Sequence, residues 1–154
     1  MRLRAYAKIN LGLDILGKRP DGYHEVKMIM QTIQMYDLLE IKKKKTSGIS
    51  LTSNVPYVPT DERNLAYKAA KLLMDEFGVR EGLSIKLEKF IPVAAGMAGG
   101  SSDAAAAMIG VNRLFQLGLT DRELMERSVQ IGADVPYCIM RGTALAEGIG
   151  ERLT

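Results

Sequence analysis

The chain has 154 residues, 47% of them hydrophobic, enough for one domain with its own core. Its formal charge of +3, fed by the run Lys42 to Lys45, suits a small anionic ligand far better than nucleic acid. One cysteine, Cys138, and one histidine exclude an internal disulfide and any zinc-ligand spacing, and no stretch approaches the roughly 18 apolar residues of a membrane helix.

Charges precede any apolar run of signal-peptide length, so a cytoplasmic protein is expected. Arg2 to Ile9 and Leu11 to Leu16 read as extended, and the Pro and Asp-Gly turn chemistry of "KRPDGYH" joins them to the next apolar run as a long hairpin. Period alone does not separate strand from helix over Glu25 to Ile41, but its place after Asp-Gly favours strand for at least the first half. "GISLTSN" is a further strand, and the prolines of "VPYVPT" make a loop.

Helix signals follow. Asp61 is positioned to cap a helix with apolar residues Leu65, Ala69, Leu72, Leu73 and Phe77, which Gly78 ends. "GLSIKLEKF" alternates Leu83, Ile85 and Leu87 with polar residues, predicting a half-exposed strand. Ala104, Met108, Val111, Leu114 and Phe115 mark one face of the next helix. Thr120 and Glu123 form a capping box for another, expected to stop at Gly132, before a last strand over Thr143 to Glu147. Met28, Met30 and Met35 are expected in the core, and Lys42 to Lys45 at a solvated strand end. This order predicts one α+β domain over 1–154, a mainly antiparallel sheet with helices packed on one face.

Before the alanine-rich helix stands "PVAAGMAGGSSDAAAA", Pro92 to Ala107. Its glycines let backbone N–H groups approach an anion, and the helix start adds a partial positive charge. The spacing is not that of a P-loop, since Ser101 stands where a lysine would follow the last glycine, and no G-x-G-x-x-G can be read in it. On the residues alone two readings stay open: an anion cradle, or an ordinary glycine turn with Ser102 capping the helix.

The stretch resembles the phosphate-binding motif of the GHMP kinases. "AYAKINLGL" at Ala5 to Leu13, "RPDGYHE" at Arg19 to Glu25 and "GADVPYC" at Gly132 to Cys138 extend the resemblance along the whole chain. They point to the branch that phosphorylates a cytidine diphosphate-linked polyol in non-mevalonate isoprenoid synthesis. The resemblance implies an ATP- and Mg2+-dependent kinase with the family's two-layer, ribosomal-protein-like N-terminal fold. It implies that Pro92, Val93, Ala94, Ala95, Gly96, Met97, Ala98, Gly99, Gly100, Ser101 and Ser102 bind ATP, with Asn64 and Lys89 near its adenosine. Asp134 becomes the general base for the acceptor hydroxyl, Lys8 its catalytic neighbour, and Asn10, Tyr23 and His24 the substrate-binding set.

Taken singly, these residues have plainer readings. Asp134 suits a helix-terminus turn, Lys8 a solvated strand, Tyr23 and His24 a hairpin surface, Asn64 a first helical turn and Lys89 an exposed strand. No carboxylate announces itself as a magnesium ligand. The loop has alanines where the family more often has glycine, and methionine at Met97 for leucine; a methyl group is expected to leave the cradle intact. Family members are about twice as long, so the chain is expected to be an N-terminal fragment without the C-terminal domain, impaired in turnover, with an exposed face that favours homodimers. The competing readings are a GHMP kinase for another acceptor and a non-catalytic RNA-binding module.

Overall fold

The computed structural model describes residues 1–154. Strand β1 (Arg2–Lys18) turns back at Asp21-Gly22, where Gly22 has φ +87°, into the long strand β2 (His24–Lys44). The strand reading of Glu25 to Ile41 therefore holds over its full length. One edge of β2 carries β1. The other carries β5 (Thr143–Gly148) opposite Val26 to Gln31 and β4 (Gly82–Glu88) opposite Leu38 to Lys44, all antiparallel. Strand β3 (Ile49–Ser53) runs parallel to β4, the two being linked through helix α1 (Leu65–Glu76), and β6 (Arg152–Leu153) adds a short antiparallel edge on β5.

The remaining helices are α2 (Gly99–Leu114), α3 (Asp121–Ser128) and α4 (Val135–Met140). Leu3, Ala5, Leu39, Ile41, Leu83, Ile85 and Leu87 form one core with Ala66, Ala69, Ala70 and Leu73 of α1 and with most of α2. Burying each of these larger side chains contributes roughly 1.5–3 kcal/mol. The expected architecture, a mainly antiparallel sheet with helices on one face, is the one observed. No helix is long and apolar enough to cross a membrane.

Local details differ from the expectations. Asn64, not Asp61, caps α1: its side chain accepts from the Ala66 N–H at 2.9 Å, while Asp61 is taken up by the Arg63 N–H and guanidinium. Ser102 caps nothing, because α2 begins three residues earlier and its hydroxyl donates to the Tyr6 carbonyl at 2.6 Å. Helix α2 has no single apolar face; Ser102 to Val111 are all buried, since four alanines and Gly110 let α1, α4 and the sheet all pack against it. The Thr120–Glu123 capping box is present, but α3 ends at Ser128, and a separate helix, α4, occupies what read as a turn. Met28 and Met30 are buried while Met35 is exposed, because the β1–β2 register shifts between Tyr6 and Lys8 and the alternation fails there. Lys42 and Lys43 pair with Glu40 and Glu81, which leaves little of a basic patch.

Candidate active site

The same register shift builds the site. Where the ladder breaks after Tyr6, the Lys8 N–H leaves β2 and donates to the Met97 carbonyl at 3.1 Å, docking the glycine loop on β1. The Lys8 side chain is nearly buried. Its Nζ lies 3.1 Å from Asn10 Oδ1 and 3.6 Å from Asp134 Oδ2. Asp134 occupies the N-cap position of α4, with Pro136 in the first turn, yet makes no capping bond. Its carboxylate is therefore left to face Lys8 and solvent.

The loop between β4 and α2 is unusual in its backbone. Ala94, Gly96 and Ala98 have φ of 60°, 72° and 57°, so left-handed residues alternate with others, the arrangement that turns successive N–H groups toward one concavity. From Val93 to Ser101 no backbone N–H has an acceptor in the protein. The last three belong to the start of α2, where the macrodipole adds positive potential. A left-handed alanine costs on the order of 1–2 kcal/mol, and the fold bears this at both Ala94 and Ala98. Loop, Lys8, Asn10, Asn64, Leu65, Lys89 and Asp134 enclose a cleft of about 590 Å³, with Tyr57, Val58 and Pro59 on its far wall.

Lys89 is not an exposed strand lysine. Its ammonium bonds Asp103 Oδ2 at 2.8 Å and also Asp37, the three side chains being no more than 5% exposed. Asp37 and Asp103 went unnoticed in the sequence. Burial alone would lower the Lys89 ammonium, but Asp103 and Asp37 outweigh it and raise it. Burial drives the Asp103 carboxyl well above the usual carboxylate range despite the nearby ammonium, and its Oδ1 has no partner. Cys138, behind Asp134, is pushed up to about 12, chiefly by burial and then by the Asp134 charge.

Of the expected site residues, the structure brings together Lys8, Asn10, Asp134, Asn64, Lys89 and the stretch from Pro92 to Ser101. Ser102 is turned to Tyr6, and Tyr23 and His24 sit exposed at the hairpin end, outside the cleft. Residues 64–142, just over half of the chain, match the family model described as GHMP kinases N terminal domain. The chain belongs to the GHMP kinases. Members of this family use ATP as phosphate donor.

Relatives within the family are specific. The chain is 58% identical to 4-diphosphocytidyl-2-C-methyl-D-erythritol kinase of Lachnoclostridium phytofermentans over 99% of its own length and 52% of that protein's. It is 56% identical to the protein of the same name from Clostridium botulinum strain Alaska E43, over 100% and 55%. A crystal structure of 4-(cytidine 5'-diphospho)-2C-methyl-D-erythritol kinase superposes with a TM-score of 0.86 at 38% identity, covering 100% of this chain and 54% of that one. A mevalonate kinase at 15% identity and TM-score 0.77 shares the fold. The chain spans about half the length of the relatives it matches.

Proposed function

We propose that this chain is the ATP-binding and catalytic part, over 1–154, of a kinase that phosphorylates the 2-hydroxyl of 4-diphosphocytidyl-2-C-methyl-D-erythritol. The carrying observation is the Lys8–Asp134 pair set beside a loop of unpaired N–H groups. The names borne by relatives more than half identical to it support the choice of acceptor.

Phosphoryl transfer asks a protein to hold charge, align the acceptor and remove its proton. In this reading the N–H groups from Val93 to Ser101 cradle the phosphates, and ATP supplies the transferable phosphoryl group. Asp134 receives the proton of the acceptor hydroxyl. Lys8, fixed by Asn10, places a positive charge where the phosphoryl oxygens carry their negative charge. Asn64, already spent on capping α1 and on the Pro59 carbonyl, shapes the cleft by holding Pro59 in its wall. Tyr23 and His24 reach the cytidine end of the substrate from the hairpin. No group of three His, Cys, Asp or Glu side chains is arranged for a metal. With Ser102 committed elsewhere, Ser101 and the nucleotide's own phosphates would hold Mg2+, which supplies charge neutralisation.

The test is ADP release by the protein carrying this chain, with the diphosphocytidyl acceptor, mevalonate and homoserine offered in turn. The first should be preferred. Asp134→Asn should lower kcat by about a hundredfold to ten-thousandfold with ATP affinity nearly unchanged. An unchanged rate removes Asp134 as base, and preference for another acceptor overturns the substrate assignment.

A further inference from the structure

Beneath the glycine loop lies a buried cluster of one ammonium and two carboxylates, Lys89, Asp37 and Asp103. Asp37 Oδ1 accepts from the Ile91 N–H at 2.8 Å and from the Phe90 N–H, and its Oδ2 takes Lys89. These bonds stand where strand pairing has stopped: the last β2–β4 rung is Leu38 with Glu88, and the Asp37 carboxylate continues the ladder with a side chain. Asn54 fixes the same segment from its other side, its amide oxygen accepting the Lys89 N–H at 2.7 Å and its amide nitrogen donating to the Lys89 carbonyl at 3.2 Å. The chain entering the loop is thus held at residues 89 to 91.

The chain leaving the loop is held by the same ammonium. Lys89 Nζ bonds Asp103, which lies in the second turn of α2, and a Cβ placed on Gly99 would stand only 3.1 Å from that Nζ and 3.2 Å from Ile91 Cγ2. Both ends of the stretch from Pro92 to Ala98 therefore rest on one side chain. The loop itself has few bonds of its own, apart from Met97 to Lys8.

We propose that Lys89 is a positioning residue that staples the two ends of the phosphate loop through Asp37 and Asp103, setting the spacing its N–H cradle requires, rather than a nucleotide contact. This rests on the loop binding phosphate, as argued above. The geometry explains why a cation bordering the cleft is almost wholly withdrawn from it and saturated by carboxylates, where a phosphate ligand would be left exposed. Asp103 spends Oδ2 on this span, while its Oδ1 has no partner and burial holds the carboxyl well above the usual carboxylate range.

The test cuts only the span across the loop. Asp103→Ala leaves Lys89 paired with Asp37, and Asp103→Asn keeps an oxygen acceptor for Lys89. Hydrogen exchange of the Lys8 and Ser102 amides, which donate to the loop carbonyls of Met97 and Ala98, is measured without ligand, and ATP affinity by titration, in wild type and both variants. Asp103→Ala should speed exchange of those two amides by about tenfold or more and weaken ATP by a similar factor, while the α1 amides exchange as in wild type; Asp103→Asn should restore both. Should the alanine variant not fold, Asp103→Ser, which is too short to reach Lys89, carries the same comparison. Exchange of those two amides at the wild-type rate in the folded variant overturns the staple, whether or not ATP binding falls. If wild type binds no ATP, the kinase reading fails, while the exchange comparison still decides the staple.

Discussion

Adding one methyl at Gly110 probes how closely α2, the helix that carries the phosphate loop, rests on the sheet. A Cβ there would stand 2.2 Å from Ile41 Cδ1 and 3.0 Å from Leu3 Cδ1, both in the buried core. Alanine gains roughly 1 kcal/mol of helix propensity over glycine, but forcing a methylene into a packed core costs typically about 1–3 kcal/mol. Gly110→Ala should therefore destabilise by about 1 kcal/mol, a fall of about 2–4 °C in Tm for a chain of this size. Ile41→Val removes the atom that clashes and alone should cost about 0.5–1.5 kcal/mol. Together the two changes exchange a methyl across the interface, since the new Cβ fills the space left by Cδ1. The double variant should then be more stable than the sum of the singles by about 1 kcal/mol, well beyond the scatter of independent sites. Urea unfolding followed by circular dichroism measures all four proteins. Additivity within about 0.5 kcal/mol would show that α2 can lift off the sheet at Gly110, and the reasoning would be refuted.

Two further outcomes follow from the buried ionisable groups. Cys138, buried and pushed up to about 12, should resist a disulfide-exchange thiol reagent at about pH 8 in the native protein and react promptly in urea; rapid native labelling would mean that α4 opens readily. Asp103 binds its proton more tightly folded than unfolded, so its contribution to stability is greatest at low pH and declines as pH rises above the ordinary carboxylate value. Asp103→Asn lacks this dependence, and its stability relative to wild type should increase between about pH 4 and pH 8 in paired urea titrations; a constant difference would place the Asp103 pKa at its ordinary value.

The features legible in the sequence are those fixed by neighbours. The Thr120–Glu123 box, the Asp-Gly hairpin turn and the alternation of β4 all arise within a few residues, and each is present. Features fixed across the fold were misjudged. Asp61 and Asn64 are both plausible caps by type, and only the tertiary position of the Pro59 carbonyl, which Asn64 also binds, selects the second. The short α4 escaped because six residues after a glycine carry too little periodicity to read.

Lys89 is the instructive case, because its burial was legible after all. Leu83, Ile85 and Leu87 point inward, so the two-residue period, carried one residue past the end of β4 at Glu88, places Lys89 on the core side. Leu39 and Ile41 in β2 place Asp37 inward by the same count. A lysine in an inward register has to be paired, since an isolated buried ammonium is far too costly. Two opposite charges in inward registers, on strands whose apolar patterns mark them as core, are then each other's natural partners although 52 residues apart. Period alone supplies this pairing. The third member was beyond it, because Asp103 lies in a helix buried all round, where no face distinguishes an inward charge from an outward one. What chooses Asp103 is its place in the second turn of α2, just past the glycines, within reach of Lys89. The same steric permission that lets the phosphate loop form also lets its staple close.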